Sequence, residues 1–164
     1  DGIGDSCDPV DDNDTVGSGG SCSVSAEEQS MLDAVNAFRA GTRDCGTRGV
    51  FSPAPALAWN CQLESAARGH SADMANNNFF SHTGSDESGL GDRATAAGYA
   101  WSALGENIAA GYSSVSSVLQ GWIDSDGHCA NLMGASFKEM GAARQDNPAS
   151  TYGSYWTQVF GRSL

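Results

Sequence analysis

Apolar residues recur at helical spacing along the first two thirds of the chain and at strand spacing towards its end. From Ser25 onward, Met31, Leu32, Val35 and Phe38 make a helical stripe. Ser25 and Glu28 are set as a capping box that starts this helix, and the pattern breaks at Gly41. The following stretch, with Cys45, Gly46, Gly49, Pro53 and Pro55, reads as loop. A second helix is predicted from about Asn60 to Asn77, with Leu63, Ala66, Ala67, His70 and Met74 on one face. His70 therefore falls on the apolar side, where a core histidine bonded to a nearby carbonyl is expected rather than a ligand. Asn76, Asn77 and Asn78 end the helix, and Phe79 and Phe80 anchor its exit just before His82.

A short helix is predicted from Asp92 to Ala97, stopped by Gly98. A strand follows over Leu104 to Ala110, then a helix capped by Ser113 or Ser114 with Val115, Val118, Leu119 and Trp122 on its apolar stripe. A turn of helix from His128 to Met133 comes next. Residues 139–146 and 154–161 read as two strands joined by a loop around Pro148. Helices come first and strands cluster late, which predicts an α+β layered domain.

The strand containing Gly105-Glu106-Asn107-Ile108-Ala109-Ala110-Gly111 carries the one anomaly in this pattern. Its core is apolar, yet Glu106 sits inside it. A buried carboxylate is costly unless it is paired or hydrogen-bonded. Something cationic or donating must face Glu106, and a histidine is the expected partner.

Composition narrows the surroundings. The chain has 164 residues, a net charge of −12 and a pI near 4.3. It fits one domain plus a tail. That charge disfavours nucleic acid and anionic membrane surfaces. No apolar run approaches the roughly 20 residues of a membrane span. The chain begins at Asp1, so a mature form is expected, with any signal peptide outside this sequence. Residues 1–24 are rich in Asp, Gly and Ser and are read as an acidic tail. Tested as a calcium loop from Asp12, the tail puts Val16 and Ser23 where ligands are required, so a solvated tail is expected and calcium is not. The five cysteines, Cys7, Cys22, Cys45, Cys61 and Cys129, form no CxxC pair. Scattered in a short acidic chain, they point to disulfides and an oxidising, extracellular compartment. Their odd number leaves one thiol over, and their spacing does not fix the connectivity.

Three titratable groups outside the tail stand beside aromatic or glycine punctuation: His82, Glu106 and His128. Two imidazoles and a carboxylate are a ligand set for a divalent metal such as zinc. The same groups could instead perform acid–base work on a bound water. HExxH, GxSxG and phosphate-binding glycine loops are absent. Ser125 precedes His128 by three residues and could approach it on a helical turn, but a plain helix-end role is preferred. Cys129 is better used in a disulfide than as a nucleophile.

These phrases resemble the CAP superfamily, also called SCP-like: cysteine-rich secretory, antigen 5 and plant pathogenesis-related proteins, and the bacterial branch most of all. The matching residues are Ala56 to Asn60, Asp73 to Ala75, Phe79 to Gly84, Asp92-Arg93 with Gly98-Tyr99, Gly105 to Ala109, Trp122 to Met133, and Tyr155 to Gln158. The resemblance implies that residues 25–164 form a three-layer α-β-α sandwich with a central, mainly antiparallel sheet and a cleft. In animal and plant members that cleft carries two His and two acids and can bind zinc. By motif, His82 and Glu106 match one of each. Where the second acid belongs this chain has Ser125 with Asp124 adjacent, and the phrase at Tyr155 lacks the second His. His128 stands where bacterial relatives supply a histidine.

The resemblance thus implies a metal set of His82, His128 and Glu106, with Asp124, Ser125 and Tyr155 lining the cleft. It also implies a Cys45–Cys129 disulfide, and of the remaining cysteines Cys7 is expected to pair with Cys22. The function expected is that of a secreted, monomeric module that binds a small apolar ligand, a cell-surface or protein partner, or a metal, without turnover. The alternative is a peptidase-like hydrolase in which Glu106 and His82 activate water.

Overall fold

The computed structural model describes residues 21–164. The first helix, α1 (Ala26–Arg39), starts where the capping box places it. The Glu28 amide donates to Ser25 Oγ at 3.1 Å, and the Ser25 amide donates to Glu28 Oε1 at 2.9 Å. The stretch read as loop contains three two-residue strands, β1 (Arg43–Asp44), β2 (Val50–Phe51) and β3 (Ala58–Trp59). Runs this short carry too little alternation to stand out in a sequence. The second helix, α2 (Cys61–Asn77), is capped by Asn60, whose side chain accepts from the Gln62 and Leu63 amides. It ends at Asn78 in the left-handed conformation, φ 52°.

Then come α3 (Leu90–Ala96), β4 (Trp101–Ala110), α4 (Val115–Ile123) and α5 (Asp126–Leu132). Helix α3 begins two residues earlier than its apolar pattern suggests, because the Asp92 carboxylate accepts from the Gly89 amide at 2.9 Å and closes the first turn. The chain finishes with the antiparallel pair β5 (Glu139–Asp146) and β6 (Ser154–Ser163) around the Pro148 loop.

The main sheet has the order β3-β5-β6-β4. Its β3–β5 pair is parallel and the other two are antiparallel. Side chains alternate across it. Met140, Ala142, Trp156 and Phe160 pack with Met31 and Val35 of α1 and Val118 and Trp122 of α4 on one face. Ala143 and Val159 pack with Leu63, Ala67 and Ala94 of α2 and α3 on the other. The result is the α-β-α sandwich, with β4 at one edge of the sheet. Gly141 allows α2 to lie directly on β5: a Cβ there would stand 2.1 Å from the Glu64 backbone nitrogen.

Two disulfides hold the described residues. Cys45 pairs with Cys129, as the family pattern implies. Cys22 pairs with Cys61, not with Cys7. Cys22 and Val24 pack against the α1 face of the core, which sets Cys22 over the first turn of α2, 5.6 Å from Cys61 between Cα atoms. Cys7 and the acidic run 11–14 lie outside the described residues. No helix among the described residues is long and apolar enough to cross a membrane.

Candidate functional site

The edge strand β4 carries Glu106 on its α2/α3 side, opposite Val159 in register. The carboxylate is buried, and both oxygens are committed. His82 Nδ1 lies 2.8 Å from Oε1, and Arg93 of α3 donates to Oε2 at 2.6 Å. A carboxylate can only accept here, so His82 Nδ1 carries a proton and a neutral His82 keeps its Nε2 lone pair. The ring remains largely open to solvent, its side chain 59% exposed. Arg93 also donates to the His82 and Ser88 carbonyls, at 2.9 and 3.0 Å, and so pins the loop that carries His82.

The expected donor partner of Glu106 is therefore present, together with an arginine the sequence did not single out. The anomaly of a buried acid called for a cation. Nothing in the spacing of Glu106 and Arg93 identified which of the eight basic residues would supply it.

His128 reaches the site from the opposite flank of β4, on the short helix α5. Asn107 of β4 donates to its carbonyl at 3.3 Å and to Gln158 Oε1 at 3.0 Å. Asn131 of α5 donates to the Glu106 carbonyl at 3.2 Å and to Asn107 Oδ1 at 2.9 Å. These amide bonds bind α5 to the strand edge, and the Cys45–Cys129 bond fixes its other side. Ser125 is the residue before α5, yet its hydroxyl caps no amide; it stands 2.9 Å from His128 Nδ1 instead. The plain helix-end reading of Ser125 thus accounts for its position and not for its hydroxyl.

His82, Glu106, Ser125 and His128 line one hollow of ≈ 250 Å³ with Arg48, Gly127 and Asn131. An adjoining hollow of ≈ 290 Å³ shares Ser125 and His128 and is walled by Phe80, Ile108, Tyr112, Trp122 and Tyr152. Two other expected cleft residues lie elsewhere. Asp124 is exposed at the end of α4, and its carboxylate accepts from Gln120 one turn back. Tyr155 is fully buried with Met74 and Ile108, and its ring supports Tyr152 edge-on at 6.2 Å. His70 is the expected core histidine: Nε2 donates to the Ser81 carbonyl at 2.7 Å.

The three residues expected as a zinc set, His82, Glu106 and His128, line this same hollow of ≈ 250 Å³. No group of three His, Cys, Asp or Glu side chains among the described residues could hold a metal ion. Each Glu106 oxygen already accepts one hydrogen bond, from His82 and from Arg93.

Burial pushes the Glu106 pKa up, but the His82 hydrogen bond and the Arg93 charge outweigh it and hold it below the ordinary value of 4.5. The His128 pKa is lowered by burial and by the His82 charge, and that of His70 by burial and by Arg93. All three groups resist protonation in the fold, so all make the fold weaker in acid. The two histidines contribute above their ordinary value of 6.5 and lose that contribution as pH falls below it. Glu106 contributes above 4.5 and loses its contribution at lower pH. Urea midpoints measured across this range are expected to fall in two stages, and Glu106→Gln is expected to flatten the second. An equally steep decline below 4.5 in that variant would show that Glu106 is not held down.

Comparisons with known proteins place the fold in a family. The family model described as CAP, cysteine-rich secretory protein family, matches residues 32–160. The chain belongs to the CAP family. The uncharacterized protein YkwD of Bacillus subtilis is 30% identical over 138 residues, covering 84% of this chain and 48% of YkwD. A crystal structure of an extracellular protein containing a SCP domain from Bacillus anthracis is 35% identical with a TM-score of 0.68, covering 84% of this chain and 40% of that one. An outer surface protein of Borrelia burgdorferi shares the fold at 15% identity and a TM-score of 0.68, covering 90% of this chain and 100% of its own. This CAP chain therefore spans about half the length of YkwD and less of the Bacillus anthracis protein.

Proposed function

We propose that this CAP domain is a secreted binding module whose cleft takes an amphipathic small molecule without turning it over. The polar end sits among His82, His128 and Asn131, and the apolar part lies against Phe80, Tyr112 and Tyr152. The observation that carries this reading is the continuity of the two hollows through Ser125 and His128, polar on one side and aromatic on the other. Phe80 and Tyr152 are 46% and 54% exposed, although large aromatic rings favour burial. Their edge-to-face contact at 6.2 Å presents them as one wall. Secretion is supported by two disulfides and by the extracellular relative from Bacillus anthracis.

The test is fluorescence titration with anilinonaphthalene sulfonate, a probe with an apolar body and an anionic end. Tyr152→Ala and Phe80→Ala are each expected to weaken binding roughly tenfold, the loss typical of an aromatic anchor. Unchanged affinity in both variants would overturn the reading.

One observation favours a hydrolase as the second reading. A carboxylate that fixes Nδ1–H leaves His82 Nε2 as a base towards the cleft, able to take a proton from water. In that case His82 is the base and Glu106 orients it through Nδ1. A substrate panel run with and without chelator, on wild type, Glu106→Gln and His128→Ala, separates the two. Turnover abolished in both variants supports the hydrolase, and turnover absent or unaltered by them dismisses it.

A further inference from the structure

Most of the basic side chains spend their donors inside the fold. Arg39 and Arg43 serve backbone carbonyls, and Arg68, Arg93 and Arg144 serve carboxylates. Arg48 does neither. It is the one arginine or lysine that lines either hollow of the cleft, and its side chain makes no hydrogen bond or ion pair among the described residues.

An unpaired arginine at a surface is ordinary, but this one is held in place. The 3₁₀ turn Gly46–Arg48 follows Cys45, which is bonded to Cys129. Thr47 of that turn donates to Asp126 Oδ2 of α5 from its amide and its hydroxyl, at 3.0 and 2.7 Å. The guanidinium then lies against Gly127, where a Cβ would stand 3.2 Å from Arg48 Nη2. Asp126 does not capture it: the low pKa of that acid owes most to the Thr47 bonds and least to Arg48.

The rest of this hollow has little to offer an anion. Both Asn131 amide protons are taken, by the Glu106 carbonyl and by Asn107 Oδ1. His128 Nδ1 is engaged with Ser125, and Glu106 already has Arg93. A guanidinium carries five donors in a planar fork that fits a carboxylate, sulfonate or phosphate. The net charge of −12 does not cancel it, because charges beyond about 8 Å are screened at physiological salt.

We propose that Arg48 selects the head group of the cleft's ligand, so that the amphiphile bound is an acid: a carboxylate, sulfonate or phosphate monoester on an apolar body. This rests on the binding reading above and adds the sign of the charge. The acidic head lies against Arg48 beside His128, and the body lies along Phe80 and Tyr152.

The test sets two fluorescent probes against the full chain. Anilinonaphthalene sulfonate and N-phenyl-1-naphthylamine share their rings, and only the first carries an anion. Arg48→Gln is expected to weaken the sulfonate about tenfold, the loss of one charged hydrogen-bonded contact. The neutral probe is expected to bind that variant as it binds the wild type, which also shows that the cleft is intact. Arg162→Gln removes the same charge from an exposed site on β6 outside both hollows, and is expected to change neither probe. Equal losses of the sulfonate in Arg48→Gln and Arg162→Gln would reduce the effect to overall charge and overturn the proposal. Equal loss of both probes in Arg48→Gln would make Arg48 a support of the cleft, and overturns it too. Sulfonate affinity unchanged in Arg48→Gln overturns the head-group selection alone, since the binding reading itself falls only on Phe80→Ala and Tyr152→Ala.

Discussion

Arg93→Leu is expected to destabilise the fold by about 3–5 kcal/mol, the range for breaking a buried ion pair from one side. The Arg93 and Glu106 side chains are only 11% and 3% exposed. Removal of the guanidinium leaves Glu106 with a single partner on an exposed loop. It also frees the His82 and Ser88 carbonyls that Arg93 holds. The double variant Arg93→Leu/Glu106→Leu is expected to recover much of the loss, because two apolar side chains leave no charge stranded. Urea unfolding of the wild type, both single variants and the double variant measures the coupling. A loss below about 1 kcal/mol in Arg93→Leu, the range of a solvent-exposed pair, would mean that water reaches this site.

The second large effect is expected at Cys45–Cys129. It closes a separation of 84 residues, against 39 for Cys22–Cys61. In the chain-entropy limit the losses are about 4.5 and 4 kcal/mol, so stability alone barely separates the two bonds. Their positions do. Cys129 follows His128, and Cys45 precedes the 3₁₀ turn Gly46–Arg48 that brings Arg48 to the cleft. The Cys45→Ala/Cys129→Ala variant should therefore lose both stability and probe affinity. The Cys22→Ala/Cys61→Ala variant should lose stability alone. Equal affinity in the two double variants would show that α5 is held by Asn107 and Asn131 without help from the disulfide.

Much of this arrangement was legible in the chain. The capping box at Ser25, the apolar face of α2 and the strands from Glu139 and Ser154 follow from local patterns that the tertiary structure leaves alone. Glu106 was legible because a carboxylate in an apolar strand demands a partner. The partner's second half was not, because Arg93 arrives from another element and its sequence distance encodes nothing about contact. The same holds for Arg39 at the end of α1, which lies buried and donates to the Pro55, Leu132 and Gly134 carbonyls. Long-range donors to backbone carbonyls have no sequence signature. Asp124 and Ser125 show the limit of motif transfer. They are adjacent in sequence, but the turn between α4 and α5 sends one to solvent and the other to the cleft.

Glu106 is the carboxylate that holds His82 through Nδ1. The most direct measurement is the tautomer of His82, read from long-range proton–nitrogen correlations at mildly alkaline pH. The expected result is a single neutral form with the proton on Nδ1 and a bare Nε2, giving way to a mixture of tautomers in Glu106→Gln. A proton on Nε2 in the wild type, or a mixture there, would contradict it.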